Sequence, residues 1–288
     1  MADAAPDGPG VITVDREFPL GDEEFRFLVR TVHERTGIVL GDHKRTMIYG
    51  RLARRLRQLG LKSFRAYCDL IAGDASGNEI GFFVNAVTTN LTRFFRESHH
   101  FDHLRDELCP ELGRRAADGG RRLRIWSAGC SSGEEPYSIA MTLREGIKDL
   151  DRWDARILAT DIDTDMLAKG SRGVYARDSQ DSIPEPHRGR YTETRADGLH
   201  MKDNIRSLIA FKRLNLLGKW PMKGPFDAIF CRNVVIYFDR PTQTTLFGRY
   251  ADLLADHGFL YVGHSENLFN VTDRFRLVGR SVYRKVEA

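Results

Sequence analysis

The residues Ser127-Ala-Gly-Cys-Ser-Ser-Gly133 lead straight from an apolar segment into a helical pattern that opens with Glu134 and Glu135. Small side chains at such a turn let the backbone bend sharply and approach a ligand closely. A strand-to-helix turn without a ligand uses the same residues, so the turn alone leaves both readings open. The two acids narrow the chemistry. A dinucleotide fold seats phosphate at the following helix N-terminus, where the dipole is positive, and Glu134 and Glu135 would repel it there. S-adenosylmethionine carries an ammonium and a sulfonium but no phosphate, and suits an acidic helix start. The next apolar segment ends in Asp161-Ile-Asp163. A carboxylate at that point accepts hydrogen bonds from both ribose hydroxyls, and Asp161 fits this role. Asp163 and Thr164 are better placed to cap the helix that follows.

These groups need a scaffold, and the chain changes its pattern once. Residues 18–95 read as helices throughout. Asp22 is the expected N-cap of a helix through His33, with Phe25, Leu28, Val29 and Val32 at steps of three and four and Gly37 past its end. A second helix runs from Asp42 to Gly60 with Met47, Ile48, Leu52, Leu56 and Leu59 as its stripe. A third follows Ser63 and turns Phe64, Tyr67, Leu70 and Ile71 inward; Ile80–Val87 opens a fourth. Residues 96–120 read as a linking helix.

From Arg121 onward, strands alternate with helices. Strands are expected at Leu123–Ser127, Arg156–Thr160, Phe226–Cys231 and Gly258–Gly263, helices at Glu135–Lys148 and Pro241–Ala255, and a closing hairpin over Phe275–Tyr283. This alternation predicts a doubly wound α/β sheet over residues 121–288, with ligands at the carboxyl ends of the strands. Residues 190–210 break it, carry a turn at Ala196-Asp197-Gly198, and predict a small inserted antiparallel β subdomain.

The 288 residues suit one large core with a smaller one beside it. At 41% hydrophobic and 29% charged, the composition is that of a soluble globular protein. No run of about 18 apolar residues, the length that spans a membrane, occurs. Residues 1–17 open with MADAAPDGPG, lack a secretory pattern and read as a disordered leader. The cytoplasm is the expected location. Cys68, Cys109, Cys130 and Cys231 form no CxxC pair, which predicts buried thiols in place of a zinc or disulfide framework. His99 and His103 stand four apart, a spacing that binds metal, but no third ligand accompanies them and no metal is expected. Between residues 42 and 65 eight basic residues, among them Arg51, Arg54 and Arg55, meet the single acid Asp42. That charge is either solvated surface or a docking face for an acidic partner.

The segment TTNLTRFFRESHHF at residues 88–101, then WSAGCSSGEEPYS, ATDID, FDAIFCRNVVIYFD and GHSEN, closely resembles the chemotaxis receptor methyltransferases, in the family's order across residues 20–286. The resemblance implies a protein-glutamate O-methyltransferase with an N-terminal all-helical domain, a Rossmann-like class I methyltransferase domain and an inserted β subdomain. It implies S-adenosylmethionine as donor and S-adenosylhomocysteine as product. Carried over by motif, it implies that Asn90, Thr92, Arg96, Glu135, Asp161, Asn215, Leu216, Arg232 and Asn233 surround the cofactor, with Gly129 in the turn beside them. Asn215 follows a strand at Ile209–Arg213, where an amide can read adenine, and Asn233 stands beside the transferred methyl. Loop and cap chemistry is the alternative for both asparagines.

Methyl transfer from a sulfonium is an in-line displacement. A glutamate carboxylate, with an ordinary pKa of about 4.3, is already ionised at neutral pH and needs no general base. The enzyme aligns the reacting atoms and excludes water, and positioning of this kind lowers a barrier by about 7–11 kcal/mol. A desolvated carboxylate needs a partner. Arg96 and Tyr237 are the catalytic candidates, the guanidinium for a carboxylate and the phenol to orient the acceptor or the sulfonium. For Tyr237 the alternative is packing at a strand end. His264 in GHSEN is given no proton to move.

The implied partner is the cytoplasmic helical bundle of a chemoreceptor, reached by recruitment to the membrane without insertion. Arg51, Arg54 and Arg55 would steer that acidic bundle. Family members that hold a receptor tail pentapeptide carry a longer glycine-rich loop where this chain has Ala196-Asp197-Gly198, so no tethering peptide is expected to be needed. Two rival functions share the fold. A nucleic-acid methyltransferase would carry an Asn/Asp-Pro-Pro-Tyr/Phe or Pro-Cys motif, and neither occurs. A non-catalytic adaptor would have no need of Arg96, Asn233 and Tyr237 together.

Overall fold

The computed structural model describes residues 17–117 and 119–286, so residues 1–16 of the expected leader lie outside the described residues. Glu17, read as part of that leader, bonds the Arg57 guanidinium at 2.9 Å, and Phe18 beside it is buried. Helix α1 (Asp22–Thr36) is capped by Gly21, and Asp22, the expected cap, is its first residue, where its charge meets the positive helix end. It stops at Gly37, which takes the left-handed φ of 74° that favours glycine. A 3-10 turn at Asp42–Lys44 precedes α2 (Arg45–Leu59). Ser63 caps α3 (Phe64–Ala72) by accepting from the Ala66 amide, and α4 (Asn78–Val87) follows. Leu28, Val32, Ile48, Leu52, Phe64, Tyr67 and Phe83 form the core of this helical module. Leu59 and Leu70, both expected inside, are 37% and 40% exposed. Leu59 is the last residue of α2, and Cys68 fills the stripe between Phe64 and Ile71 that leaves Leu70 at its margin.

The linking segment is helical in three pieces: α5 (His99–His103), a π turn at Leu104–Leu108, and α6 (Cys109–Ala117). It leads into β1 (Arg122–Ala128), α7 (Glu134–Gly146), β2 (Asp154–Asp161) and α8 (Thr164–Arg172). After β3 (Val174–Tyr175), β4 (Thr192–Arg195), β5 (Gly198–Met201) and the short α9 (Asp203–Arg206) come β6 (Ile209–Arg213) and β7 (Phe226–Cys231). The chain closes with α10 (Arg240–Leu253), β8 (Leu254–Val262), β9 (Phe275–Gly279) and β10 (Val282–Lys285).

Seven strands make one sheet in the order β6-β2-β1-β7-β8-β10-β9, parallel except for the closing hairpin. All six residues of β7 are buried, as a parallel strand covered on both faces requires. In β1, Leu123 and Ile125 pack beneath Tyr137, Ile139 and Met141 of α7, while Trp126 and Ala128 face Leu246, Phe247 and Tyr250 of α10. The strand period of two thus distributes one sequence to two helical layers. The chain leaves β1 first toward β2 and β6 and later toward β7 and β8. This reversal of strand order puts a crevice at the carboxyl end of β1.

The inserted β subdomain begins earlier and ends sooner than residues 190–210. Its three antiparallel strands run in the order β3-β5-β4 and span residues 174–201. Ile209 pairs with Ile157 of β2 and belongs to the large sheet. Arg195 and Gly198 pair directly, so the β4–β5 connection is the two residues Ala196-Asp197. A Cβ on Gly198 would lie 2.5 Å from the Tyr175 carbonyl oxygen, so glycine lets β3 close on this hairpin.

Candidate active site

Past Ala128 the chain passes through Gly129 (φ 88°), Ser131 (φ 48°) and Gly133 (φ 96°) before α7. A Cβ on Gly129 would sit 2.4 Å from Val234, so this position demands glycine for both φ and space. The amides of Gly129 and Cys130 both donate to the Thr160 carbonyl, at 2.8 and 2.9 Å. This ties the turn to β2, where Asp161 accepts from the amides of Ser131 at 2.7 Å and Asp163 at 2.9 Å. Burial pushes the Asp161 carboxyl up from its ordinary range, and those two amides oppose it. Each of its oxygens keeps a second lone pair for a ligand hydroxyl. Asp163 is the cap of α8, accepting from the amides of Asp165 and Met166. Its other oxygen accepts from the Thr88 hydroxyl at 2.8 Å and the Asn90 side-chain amide at 2.7 Å. Asn90 therefore reaches the cavity with its amide already donated to Asp163.

The two acids at the start of α7 part company. Glu134 bonds the Ser132 hydroxyl at 2.7 Å and does not line the cavity, whereas Glu135 does. Burial raises the Glu135 carboxyl; the Arg232 guanidinium at 3.1 Å and the Ser127 hydroxyl at 2.7 Å pull it back. Arg232, from the end of β7, is itself buried. It also lies 3.4 Å from Glu97, donates to the Arg96 carbonyl, and stands 5.6 Å above the Phe101 ring. Rather than a free ligand for a cofactor, it is a strut that ties the Arg96 loop to the sheet. Phe95 and Glu97, on either side of Arg96, have φ of 51° and 57°. Two such residues in the left-handed region store strain of about 1–3 kcal/mol each. Arg96 is half-buried, and its Nη1 donates to the Leu91 carbonyl at 2.7 Å.

After Arg232, Asn233 takes a left-handed φ of 57°, and a 3-10 turn at Val235–Tyr237 follows. The Tyr237 carbonyl accepts from the Val39 amide at 2.9 Å, while its hydroxyl meets no partner among the described residues. Asn215 donates its side-chain amide to the Arg35 carbonyl at 2.7 Å and accepts from the Leu217 amide at 3.0 Å. Its amide thus bonds the loop and α1, while the residue also lines the cavity.

The turn, the Arg96 loop and the segment after β7 open on one cavity of about 460 Å³, inside the range of about 300–1,000 Å³ for pockets that hold small molecules. Asn90, Thr92, Arg96, Gly129, Glu135 and Asp161 line it, as do Asn215, Leu216, Arg232, Asn233 and Tyr237. Ile38, Val39 and Lys44 bring the helical module into its wall, and Leu214 and Phe238 add apolar surface. Arg51, Arg54 and Arg55 do not line it. Arg51 donates to the carbonyls of Ala86 and Thr88 at 2.9 and 2.6 Å, and Arg55 pairs with the buried Glu79 at 2.5 Å. The Arg55 charge is thus paired, whereas Arg51 is exposed and, bonded to neutral carbonyls, keeps its charge. Arg54 is exposed and has no such partner.

The pairing of His99 with His103 does not form, because His103 bonds the Tyr261 hydroxyl at 3.0 Å. Glu97, His99 and His100 instead bring one ligand-type atom each within 4.8 Å of one another, and each has a buried polar atom with no hydrogen bond among the described residues. Arg232, 3.4 Å from Glu97, already supplies the positive charge a cation would bring. One residue missed in the sequence is Glu266, buried beneath the Asn233 turn; the GHSEN motif at a strand end was its signal, although His264 of that motif is exposed and outside the cavity lining.

The sequence matches two domains described for one family: the CheR methyltransferase all-alpha domain over residues 23–88 and the CheR methyltransferase SAM binding domain over residues 90–284. It is 43% identical over 258 residues to a probable chemotaxis protein methyltransferase of Rhizobium etli, covering 88% of this chain and 96% of that one. It is 42% identical over 280 residues to a chemotaxis protein methyltransferase of Escherichia coli, covering 95% and 94% of the two chains. A chemotaxis protein methyltransferase of Pseudomonas aeruginosa is also 42% identical over 280 residues, with coverage of 96% and 97%. With both domains matched in order on a Rossmann-like sheet and its cavity, this chain belongs to the CheR methyltransferase family.

Proposed function

We propose that the protein transfers the methyl group of S-adenosylmethionine to glutamate side chains in the cytoplasmic helical bundle of chemoreceptors. The products are a glutamate methyl ester and S-adenosylhomocysteine. The observation that carries this reading is the convergence of Arg96, Asn233 and Tyr237 with Asp161 on one cavity.

The lining fits a phosphate-free cofactor. Asp161 has lone pairs left for ribose hydroxyls, Glu135 stands where a dinucleotide would set its pyrophosphate, and Leu214, Leu216 and Phe238 offer a flat ring apolar contact. When bound, the cofactor supplies an electrophilic methyl on a sulfonium. The acceptor carboxylate is ionised at neutral pH, so no residue of the site has to remove a proton. Arg96 holds a carboxylate by charge-assisted hydrogen bonds, and the Tyr237 hydroxyl orients the acceptor or the sulfonium. Arg232 acts through Arg96, fixing the backbone of the loop that presents it.

Arg51 and Arg54 are the exposed members of the basic trio that would steer an acidic bundle, the charge of Arg55 being paired with Glu79. The two-residue Ala196-Asp197 connection supports a receptor found through the helical module with no tail pentapeptide required. Among the described residues no helix is long and apolar enough to cross a membrane; recruitment to membrane receptors from the cytoplasm is part of the proposal.

Incubation with methyl-labelled cofactor and chemoreceptor, followed by mild base, tests the reaction. Label on the receptor that base releases as methanol is expected. Base-stable label, or label on nucleic acid, would overturn it.

A further inference from the structure

Glu266 is 4% exposed, and among the described residues no lysine or arginine pairs with it. A buried carboxylate without a cation is costly unless hydrogen bonds replace its lost water. Here four main-chain amides do so. Its Oε2 accepts from Gly263 at 2.5 Å and Asn233 at 2.8 Å, and its Oε1 from Val234 at 2.8 Å and Ile236 at 3.3 Å. Three of those amides belong to the stretch between Arg232 and Tyr237. Successive amides that converge in this way form a concavity for an anion. In this protein the anion is one of its own side chains.

The geometry around it leaves little freedom. Asn233 is held at a φ of 57°, a left-handed conformation that asparagine tolerates better than most non-glycine residues. A Cβ on Gly263 would lie 2.5 Å from the Asn233 side-chain nitrogen and 2.8 Å from its amide, so β8 ends against Asn233 with no room to spare. Glu266 thus joins the carboxyl ends of β7 and β8 and supports the turn from below, while Asn233 and Tyr237 line the cavity above.

We propose that Glu266 is a positioning residue for methyl transfer, an internal anion that holds the Asn233–Tyr237 turn in its left-handed form. Its catalytic consequence rests on the reading of Asn233 and Tyr237 given above. Glu266→Gln keeps the size of the side chain but turns an N–H donor toward amides that need an acceptor. Glu266→Asp keeps the charge and withdraws it from the turn.

Both variants are compared with the wild-type full-length protein by hydrogen exchange of peptides spanning residues 232–238, by calorimetry with S-adenosylhomocysteine, and by receptor methylation kinetics. For Glu266→Gln, exchange of the turn and kcat each change by about tenfold or more, faster and slower respectively, while KM and product affinity stay within about threefold. Glu266→Asp moves the same readouts in the same direction by less, and serves alone if the glutamine variant does not fold. Unchanged exchange of the turn, a kcat within about twofold of wild type, or exchange raised equally across the whole chain overturns the proposal. Exchange needs no turnover. A wild-type protein that formed no base-labile methyl group would overturn the reaction assigned above, while the exchange result still judged Glu266.

Discussion

The imidazole of His187 lies flat on the ring of Phe95, with centroids 5.1 Å apart and planes 4° apart. His187 belongs to the insertion that carries the small sheet, and Phe95 immediately precedes Arg96. The Phe95 amide donates to the Ser138 hydroxyl of α7 at 2.9 Å. The strained loop at Arg96 is therefore braced from α7, from the sheet through Arg232, and from the insertion through one ring contact.

Removing that contact tests the third brace. His187→Ala is expected to destabilise the fold by about 1 kcal/mol, the scale of an aromatic pair, and to lower methyl turnover with cofactor affinity retained. Urea titration and a methylation assay on the same preparation check both effects.

Asp161→Ala is expected to weaken S-adenosylhomocysteine binding by about 1–3 kcal/mol, the cost of losing hydrogen bonds to a charged group. It also frees the amides of Ser131 and Asp163, so the melting temperature falls with it. Calorimetry that returned wild-type affinity would remove Asp161 from the site.

Tyr237→Phe separates binding from turnover. Its hydroxyl meets no group among the described residues and its carbonyl bond to Val39 is untouched, so stability and cofactor affinity stay near wild type while kcat falls. Arg96→Ala is expected to lose most activity. Full activity in both variants would refute the roles given to them.

Charge reversal on α2 is expected to divide by residue. Arg54→Glu raises the receptor KM and flattens its salt dependence with stability unchanged. Arg55→Glu leaves the buried Glu79 without its cation and destabilises the helical module by about 3 kcal/mol, the lower end of buried-pair losses. KM at two salt concentrations, with thermal melts alongside, distinguishes the two outcomes.

Burial, with Arg232 beside it, holds the His100 imidazole down to about 2 from an ordinary 6.5. The unfolded chain takes up that proton below about pH 6.5 and the folded one does not. This contribution is complete above the unfolded value and is lost as pH falls, by up to about 1.4 kcal/mol per unit. His103 and His187 are depressed by burial as well and add slope of the same sign. His100→Gln is expected to flatten stability against pH by one proton between about pH 6.5 and 5. Urea midpoints across that window check it.

Features governed by neighbours in sequence were legible in the chain. Ser63 caps α3, Gly37 and Gly60 end α1 and α2, and Phe226–Cys231 is a strand at its expected bounds. The turn through Gly129 and the carboxylate of Asp161 follow from the same local chemistry. Features that rest on distant partners were not legible. Arg51 reaches Thr88 and Arg55 reaches Glu79 across a tertiary contact that no helical spacing reveals. The two-residue β3 is too short to show an alternation, which hid the start of the insertion. Glu266 acts on amides some thirty residues away, and amides carry no side-chain signature.

The cavity wall is shared between two bodies. The Val39 amide crosses to Tyr237, the Asn215 amide to Arg35, and the Asn90 amide to Asp163. A molecule seated among these bridges acts as mortar between the helical module and the sheet. At about a hundred times its Kd, such a ligand adds about 2.7 kcal/mol to the joint native state, and none of this to a state in which the two have come apart. Saturation with cofactor therefore favours a single cooperative melt of the whole chain. Scarcity of cofactor leaves the helical module joined to the sheet by protein contacts alone, those bridges among them.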